Sequence, residues 1–433
     1  MKKIVTVLLA LTVNIVAAQI KFNNFNDVLV HVRQNNTTLE KDQLKIEQAH
    51  KAKIAAVVNV VNPLINNTMT YVDNIKLPVS VFPSEILGGT PGTYSEVETG
   101  IRYTNTINQN VELNLINFQA WENVRLTKWN ELAVGLDSSL NKKSLFENIN
   151  ASYYNILTLQ QQLRSTITNQ VAADSLFKVA TEKYMHGLVR QQDVNDSRVN
   201  YIATRENARQ IAFLLENNIL EFKILCDIRP DETIDFNDPV GQEPISEINV
   251  NENGLELSRQ WALEQYALSN LNYQRKESLP TLSLIGSQSW QLFNNDFKVF
   301  DGRWVNSSYI GFKLSLPLPT SKSVGSLAKA KYEYQIAQKN TEQARIKSKN
   351  LSMQLKNDFD KTVSQYHTDE EIFYLRKDTY NKNKSLYAEG LIGMDQTLNS
   401  YNAMVNAEYS LTASRLNIKK LATKISINND INQ

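Results

Sequence analysis

The hexapeptide YMHGLV at residues 184–189 recurs as YAEGLI at residues 387–392. Each copy follows a long stretch in which apolar residues have helical spacing, and a second helical pattern starts a few residues after the glycine. Glycine at such a position suits the left-handed conformation that ends many helices. Both segments therefore predict a tight turn between two antiparallel helices, at Gly187 and Gly390.

The stretches before these turns are long enough to be single helices. Residues 118–186 contain no proline and only Gly135, and residues 327–389 contain neither proline nor glycine. One helix of that length reaches about 100 Å at about 1.5 Å per residue. A compact globule of this chain length has a radius of gyration of about 22 Å, so such a helix cannot be enclosed in one. We therefore predict an elongated protein whose long helices pack as coiled coils.

Four shorter segments alternate apolar and polar residues with a period of two, which indicates β-strands. Pro63 and Pro280 end helical stretches and precede two of these strands, and a turn-rich loop is expected at residues 74–100. The two longest segments match the nine to eleven residues, roughly, that a tilted strand needs to cross a bilayer. A small soluble sheet with one polar face remains the alternative. Four strands cannot close a membrane barrel, whose smallest forms have about eight, so spanning would require several chains. The four segments lie at residues 65–71, 101–115, 281–293 and 310–316.

The order helix, strand, loop, strand, long helix, turn, helix occurs twice, which indicates an internal duplication. We predict a mainly α fold with a small β part, built from a duplicated helix-strand-strand-helix-helix unit. The repeats form one intertwined domain rather than two independent ones. The predicted boundaries are an export signal at residues 1–18, a first repeat at 19–229, a linker at 230–254 and a second repeat at 255–433.

The N-terminus has the pattern of a cleaved export signal. A basic start at Lys2 and Lys3 precedes an apolar run, and small residues follow at 16–18. No cysteine follows the run, so a lipoprotein anchor is not predicted, and the lone Cys226 cannot form an intramolecular disulfide. Cys226 lies in an apolar stretch and is interpreted as a small buried side chain.

Composition and motifs do not indicate catalysis. Basic and acidic residues number 46 and 45, which gives no composition-level argument for nucleic-acid binding. The four histidines are scattered along separate helices, and no phosphate loop or nucleophile motif is present in the sequence. We therefore predict no enzyme activity, no metal site and no cofactor.

The duplicated arrangement resembles the TolC-type outer-membrane efflux factors over the whole chain after the signal. The resemblance rests on NPL at residues 62–64, LPTL at 279–282, LSLPL at 314–318 and the two Tyr-x-x-Gly-Leu turns. It implies a homotrimer in the outer membrane, with four strands per chain in one twelve-stranded barrel and helices forming a periplasmic tunnel. It also implies a periplasmic adaptor (a membrane fusion protein) and an inner-membrane transporter as partners.

The resemblance further implies which residues lie at the periplasmic mouth. The family carries acidic or polar residues six and nine positions after each turn glycine. Some members also have a basic residue two positions after the second glycine, which holds the mouth shut by pairing with the aspartate of the first copy. That basic position is Ile392 here, so the resemblance does not predict this closing contact. Gln396 and Asn399 stand where the best-known members have acidic residues, so strong cation selectivity is not predicted either. The aperture candidates are Asp193, Asp196, Gln396, Asn399 and Tyr387, and the candidates for the hairpin tips and adaptor docking are Tyr184, Gly187, Leu188, Gly390 and Leu391.

The sequence leaves two hypotheses for the function. The first is an outer-membrane channel-tunnel that passes substrates from an adaptor and pump assembly to the exterior. The second is a soluble periplasmic coiled-coil adaptor or structural protein whose strands form a small sheet. A plain helix-capping role for Asp193 and Asp196 is the alternative to a pore role, because carboxylates at a helix start complement its dipole.

Overall fold

The computed structural model describes residues 20–238, 249–252 and 254–431. The predicted export signal at residues 1–18 and much of the predicted linker lie outside these ranges. The elements, in chain order, are β1 (Ile20–Phe22), α1 (Phe25–Asn35), α2 (Thr37–Val61), β2 (Leu64–Asp73), β3 (Val79–Pro83), β4 (Tyr94–Glu98), β5 (Tyr103–Ile116), α3 (Phe118–Met185), α4 (Gln191–Cys226), β6 (Ile234–Phe236), α5 (Gly254–Lys276), β7 (Thr281–Asn294), β8 (Trp304–Ser315), α6 (Ser321–Ala388) and α7 (Met394–Ile431).

The mainly helical fold with a small β part is confirmed. Helices α3 and α6 contain 68 residues each, and each is followed by a short turn and a second long helix. Pro63 and Pro280 lie directly before β2 and β7. Proline at these positions ends the preceding helix and needs no backbone N–H for a ladder bond.

The chain divides into two compact units that do not follow the sequence repeats. The first comprises the described parts of residues 1–45, 135–259 and 342–433, and the second comprises residues 46–134 and 260–341. Each unit therefore takes segments from both predicted repeats.

An aromatic cluster forms the core of the first unit. The Phe22 and Phe236 rings come together because β1 and β6 pair in parallel, in register from Ile20 with Ile234. The Tyr153 ring is fully buried in the same cluster, and its hydroxyl donates to Asp238 over 3.1 Å. Burial raises the pKa of Tyr153, and the Asp238 carboxylate raises it further, so the hydroxyl stays protonated as a donor.

The helical stretch predicted to end before Pro63 consists of two helices, α1 and α2, because the chain breaks at Asn36. Its side-chain oxygen accepts from the Thr38 backbone N–H over 3.0 Å, which caps α2. Its amide nitrogen donates to the Leu225 carbonyl over 3.1 Å. The Asp227 carboxylate accepts from the Thr37 backbone N–H over 2.8 Å. These partners lie far away in sequence, so the position of the break is a tertiary effect.

The segment predicted as a turn-rich loop contains a small hairpin. Strands β3 and β4 pair antiparallel from Val79 with Glu98 to Pro83 with Tyr94. A single 3₁₀ turn at Ser84–Leu87 follows β3 and ends at Gly88, which has a φ of 82°.

The second unit contains a four-stranded antiparallel sheet in the order β2-β5-β7-β8. Ile65 of β2 lies opposite Val111 of β5, which lies opposite Gly286 of β7, and Gly286 lies opposite Ile310 of β8. The register is continuous across all four strands in this row. Residues of one row therefore lie on the same face of the sheet.

In the described part of the chain, no helix has a stretch both long and apolar enough to cross a membrane.

Candidate functional site: a two-faced sheet and the helical hairpin turns

One face of the four-stranded sheet is apolar and exposed. Ile310, Phe312 and Leu314 on β8 are 77%, 73% and 73% exposed. The strand pairing places Leu284 beside Phe312 and Leu282 beside Leu314 on the same face. Within the described strands, the charged residue on this face is Asp73, at the last position of β2. One row across the face is polar but uncharged and consists of Asn67, Gln109, Gln288 and Ser308.

The opposite face of the sheet is polar and carries a hydrogen-bonded network. The Lys313 ammonium lies 3.2 Å from the Glu112 carboxylate. The Ser283 hydroxyl donates to the Asn114 side chain over 2.9 Å, and such cross-strand bonds continue along the face. One sheet thus separates a wet surface from an apolar one.

Strands β2 and β8 are the edges of this sheet, and within the described residues neither pairs with a further strand. β2 has ten residues and β8 has twelve. An edge strand presents a row of unpaired backbone donors and acceptors, which is a template for another strand. The sheet is therefore suited to extension on both sides.

The two predicted helical hairpins are present, and their turns have the same backbone geometry. Gly187 has a φ of 71° and Gly390 has a φ of 79°. The Leu188 N–H bonds to the Lys183 carbonyl, and the Leu391 N–H bonds to the Leu386 carbonyl, both over 2.9 Å. Together with glycine N–H bonds to the carbonyls three residues earlier, this is the Schellman arrangement of helix ends.

The helices that follow the turns repeat a second detail. The Ser197 hydroxyl donates to the Val194 carbonyl over 2.9 Å, and the Ser400 hydroxyl donates to the Thr397 carbonyl over 2.8 Å. These serines occupy equivalent positions after the two turns. The local duplication read from the sequence therefore extends to side-chain bonding.

The tyrosines of the two Tyr-x-x-Gly-Leu turns differ in environment. Tyr184 is 44% exposed, whereas Tyr387 is 4% exposed. Tyr387 packs in a cluster with Leu176 and Ala180 of α3 and Val194 of α4. The second hairpin therefore inserts its tyrosine into a site formed by the first hairpin.

Lys183 joins the two hairpins at this point. Its ammonium donates to the Tyr387 backbone carbonyl over 2.6 Å and lies 4.1 Å from the centroid of the Tyr387 ring. The cation thus binds both the C-terminal end of α6 and an aromatic face. Lys183 is not among the residues predicted from the sequence, although a basic residue in the last turn of a helix is a recognised end signal.

The Tyr387 hydroxyl is buried and has no hydrogen-bond partner among the described residues. Burial raises the pKa of Tyr387, and the nearby Asp193 carboxylate raises it further. Contact between the hairpins therefore depends on the ring and on the backbone carbonyl of this residue, and not on its hydroxyl.

The aperture candidates are distributed over the first turns of α4 and α7. The Asp193 carboxylate accepts from the Arg190 backbone N–H over 2.8 Å, which is a helix-capping contact. Asp196, Gln396 and Asn399 are exposed. No hydrogen bond or ion pair among the described residues joins these four side chains to one another. Within one chain, the candidates are placed at the two turns but are not brought together.

The two leucines that follow the turn glycines lie at the surface, whereas the neighbouring Ile392 makes an apolar contact. Leu188 and Leu391 are both exposed. Ile392, at the position of the family's basic residue, packs against the Tyr387 cluster. Among the described residues, no group of three or more His, Cys, Asp or Glu side chains could hold a metal ion.

Known structures share this fold, although no family model and no curated protein matches the sequence. The outer-membrane protein VceC from Vibrio cholerae is 14% identical, with a TM-score of 0.71 over 93% of this chain and 94% of that one. CusC, whose structures concern folding and transmembrane channel formation, is 14% identical. Its TM-score is 0.76 over 94% of this chain and 92% of that one. The open state of the Neisseria gonorrhoeae outer-membrane channel MtrE is 12% identical, with a TM-score of 0.72 over 94% and 88%.

These similarities extend over nearly the whole length of both chains. The chain therefore has the fold of the TolC-type outer-membrane channels, as the sequence resemblance predicted.

Proposed function

We propose that three copies of this chain form a channel through the outer membrane, in which their sheets join edge to edge into one twelve-stranded barrel. Substrates would reach it from a periplasmic adaptor and an inner-membrane transporter. The observation that carries the proposal is the sheet, with its exposed apolar face, its polar face and its two free edges. A membrane barrel needs the same division between a lipid side and a water-filled interior.

The edges support the joining of copies. Open sheet edges do not occur in the hydrocarbon region, because unpaired backbone groups cost several kcal/mol there, roughly. Pairing β2 of one copy with β8 of the next satisfies both edges at once. The number of copies follows the resemblance, which implies three.

Exposed apolar residues on the helices also support assembly. Ile167 and Val171 of α3 continue the apolar stripe of that helix but are mostly exposed in the single chain. Neighbouring copies would cover them, as expected for coiled-coil helices in a tunnel.

The hairpin turns are the proposed periplasmic end. We place Asp193, Asp196, Gln396 and Asn399 around the mouth. Asp193 is engaged in capping α4, so Asp196 supplies the exposed charge, and the uncharged second pair gives the mouth only a weak preference for cations. The exposed side chains of Leu188 and Leu391 are the proposed docking points for an adaptor.

The alternative, a soluble periplasmic adaptor, is not favoured. It would leave Ile310, Phe312 and Leu314 in water on one strand, next to an open edge. Contiguous exposed apolar surface of this kind marks an interaction site or an aggregation risk in soluble proteins.

A matched pair of substitutions on neighbouring residues of β8 tests the proposal. Ile310→Lys places a charge on the apolar face, where the cost near the bilayer midplane is about 2–4 kcal/mol per residue. Tyr309→Lys places the same charge on the polar face. We expect Ile310→Lys to reduce recovery of folded protein from outer-membrane fractions, and Tyr309→Lys to be recovered and to alter conductance in planar bilayers. Recovery of the folded unaltered chain from the soluble periplasm would refute the proposal.

A further inference from the structure

The connection between β7 and β8, residues 295–303, folds back over the apolar face of the sheet; we call it the β7–β8 loop. The Asn105 side chain on that face donates to the Val299 carbonyl over 2.5 Å. The Asn294 side chain donates to the Asp301 carbonyl over 2.9 Å. Under the loop, Leu292 and Asn105 are each only 1% exposed. The loop is therefore held against the outer surface of the sheet.

Gly302 allows the close approach of this loop to the sheet. Its φ is 144°, and a Cβ added there would lie 2.6 Å from the Leu292 side chain. A side chain at this position would therefore require either the Leu292 side chain or the loop to shift. The folded-back path of the loop therefore favours glycine at position 302.

The loop presents two phenylalanines outward. The Phe297 ring packs edge-on against Tyr71 and Tyr103, at centroid distances of 5.5 and 5.8 Å. It is nevertheless 69% exposed, and Phe300 is 67% exposed. The sheet already occupies the inner side of the loop, so these rings remain exposed in the folded chain.

Charged and polar groups lie beside Tyr103 on the sheet and within the loop itself. The Arg102 guanidinium lies over the Tyr103 ring, 5.0 Å from its centroid, and pairs with Asp73 over 3.2 Å. Lys298 and Arg303 of the loop are exposed. Aromatic rings beside basic and polar groups are typical of the headgroup level of a bilayer, where one end of a side chain is apolar and the other is wet.

We propose that the β7–β8 loop is a membrane-interface anchor, in which Phe297 and Phe300 enter the boundary between lipid headgroups and acyl chains outside the barrel. The proposal rests on the proposed function, because it requires the apolar face to contact lipid. Its own support is the continuity of the loop with that face. The loop lies on the same side as Ile107 and Trp290, at the end of the strands where Tyr71 and Tyr103 are found. The partner is a lipid surface and not another protein.

Site-directed spin labelling tests the anchor directly, because the chain has one cysteine and Cys226→Ala removes it. The protein would be reconstituted in phosphatidylcholine and phosphatidylglycerol vesicles, with one nitroxide label per variant. Phe300→Cys reports on the loop, and Phe297→Cys repeats the test if that variant does not fold. Ile310→Cys is the lipid reference, and Tyr309→Cys on the opposite face is the water reference.

The measurement is the ratio of oxygen to nickel-chelate accessibility of each label. We expect a ratio at 300 at least several-fold above that at 309 and below that at 310. A ratio at 300 equal to that at 309 would overturn the anchor while leaving the channel intact. A label at 300 shielded from both reagents would mean a contact with another copy and would also overturn it. A water-like ratio at 310 would contradict the channel itself.

Discussion

Replacement of Lys183 by methionine should loosen the end of helix α6. The Lys183 ammonium binds the Tyr387 carbonyl over 2.6 Å and the Tyr387 ring at 4.1 Å. A hydrogen bond from a charged group contributes about 1.5–3 kcal/mol, and a cation–π contact at a partly exposed site contributes about 0.5–1 kcal/mol. Lys183 is half-buried, so we take the lower ends, about 2 kcal/mol together. That corresponds to a roughly 30-fold increase in local opening, at about 1.4 kcal/mol per factor of ten.

Hydrogen exchange measured by mass spectrometry on the segment around residues 386–391 would detect this opening. Lys178→Met is the matched control, because Lys178 lies on the same helix and its ion pair, with Asp174, is at the surface. Such surface pairs contribute about 0.3–0.5 kcal/mol, so this control should change exchange at the α6 end very little. Equal exchange in Lys183→Met and Lys178→Met would mean that Lys183 does not stabilise the end of α6.

Two substitutions of Tyr387 separate the ring from the hydroxyl. Tyr387→Phe keeps the ring and removes a buried hydroxyl that has no partner among the described residues, so exchange should not increase. Tyr387→Leu removes the aromatic face, so exchange should increase several-fold. A large increase in hydrogen exchange in Tyr387→Phe would mean that the hydroxyl makes a contact essential to the packing of the two hairpins.

Three further predictions concern the turns, the mouth and the buried thiol. Gly187→Val and Gly390→Val should each destabilise their hairpin by at least about 1–2 kcal/mol, because a side chain at positive φ is strained. Increased hydrogen exchange at the turns would show this destabilisation. The control Gly135→Ala, within α3, should not increase exchange at the turns. Export should be lost in both valine variants while the barrel stays folded, and full export would argue against the tip assignment. Gln396→Asp should increase cation preference in planar-bilayer conductance, and an unchanged ion ratio would mean that this position does not line the mouth. Cys226 should resist alkylation at pH 8 in the folded protein, because burial raises the pKa of its thiol to about 12. The neutral thiol should contribute stability below the usual pKa of cysteine, and this contribution should be lost as the pH rises towards 12. Rapid alkylation of the folded protein at pH 8 would contradict the burial of this thiol.

The turns and the strand faces could be predicted from sequence because their causes are local. Gly187 and Gly390 end helices through a backbone conformation that their own residue type permits. The alternation in β5 and β8 follows from the two-residue period of a strand, and it identifies the apolar face without any knowledge of the neighbouring strands.

Other features were missed because their causes lie far away in sequence. β1 and β6 have three residues each, too few to show a period, and they lie far apart in the sequence, so their pairing and the contact of Phe22 with Phe236 have no local signal. The break at Asn36 depends on the carbonyl of Leu225, which no local pattern indicates.

The asymmetry between the two turns was also not predictable from the repeat. Tyr184 and Tyr387 occupy equivalent sequence positions, yet only Tyr387 is buried. The difference arises from Lys183 and the cluster on the first hairpin, which are contacts between repeats and not within them.

Disulfide formation between β2 and β8 of different copies tests the shared barrel most directly. In a Cys226→Ala background, Thr68→Cys on the polar face of β2 would be combined in turn with Val305→Cys, Ser307→Cys or Tyr309→Cys on the same face of β8. Directly opposed residues of paired strands lie about 4.5–5.5 Å apart at Cα, which suits a disulfide. Thr68→Cys with Ser289→Cys on β7, an inner strand, is the control and should give no link between chains.

We expect at least one β8 partner to give covalent species of two and three chains, with nothing larger, in protein oxidised in the outer membrane. Single chains only with every β8 partner, or a ladder that continues beyond three, would contradict a closed barrel shared by three copies.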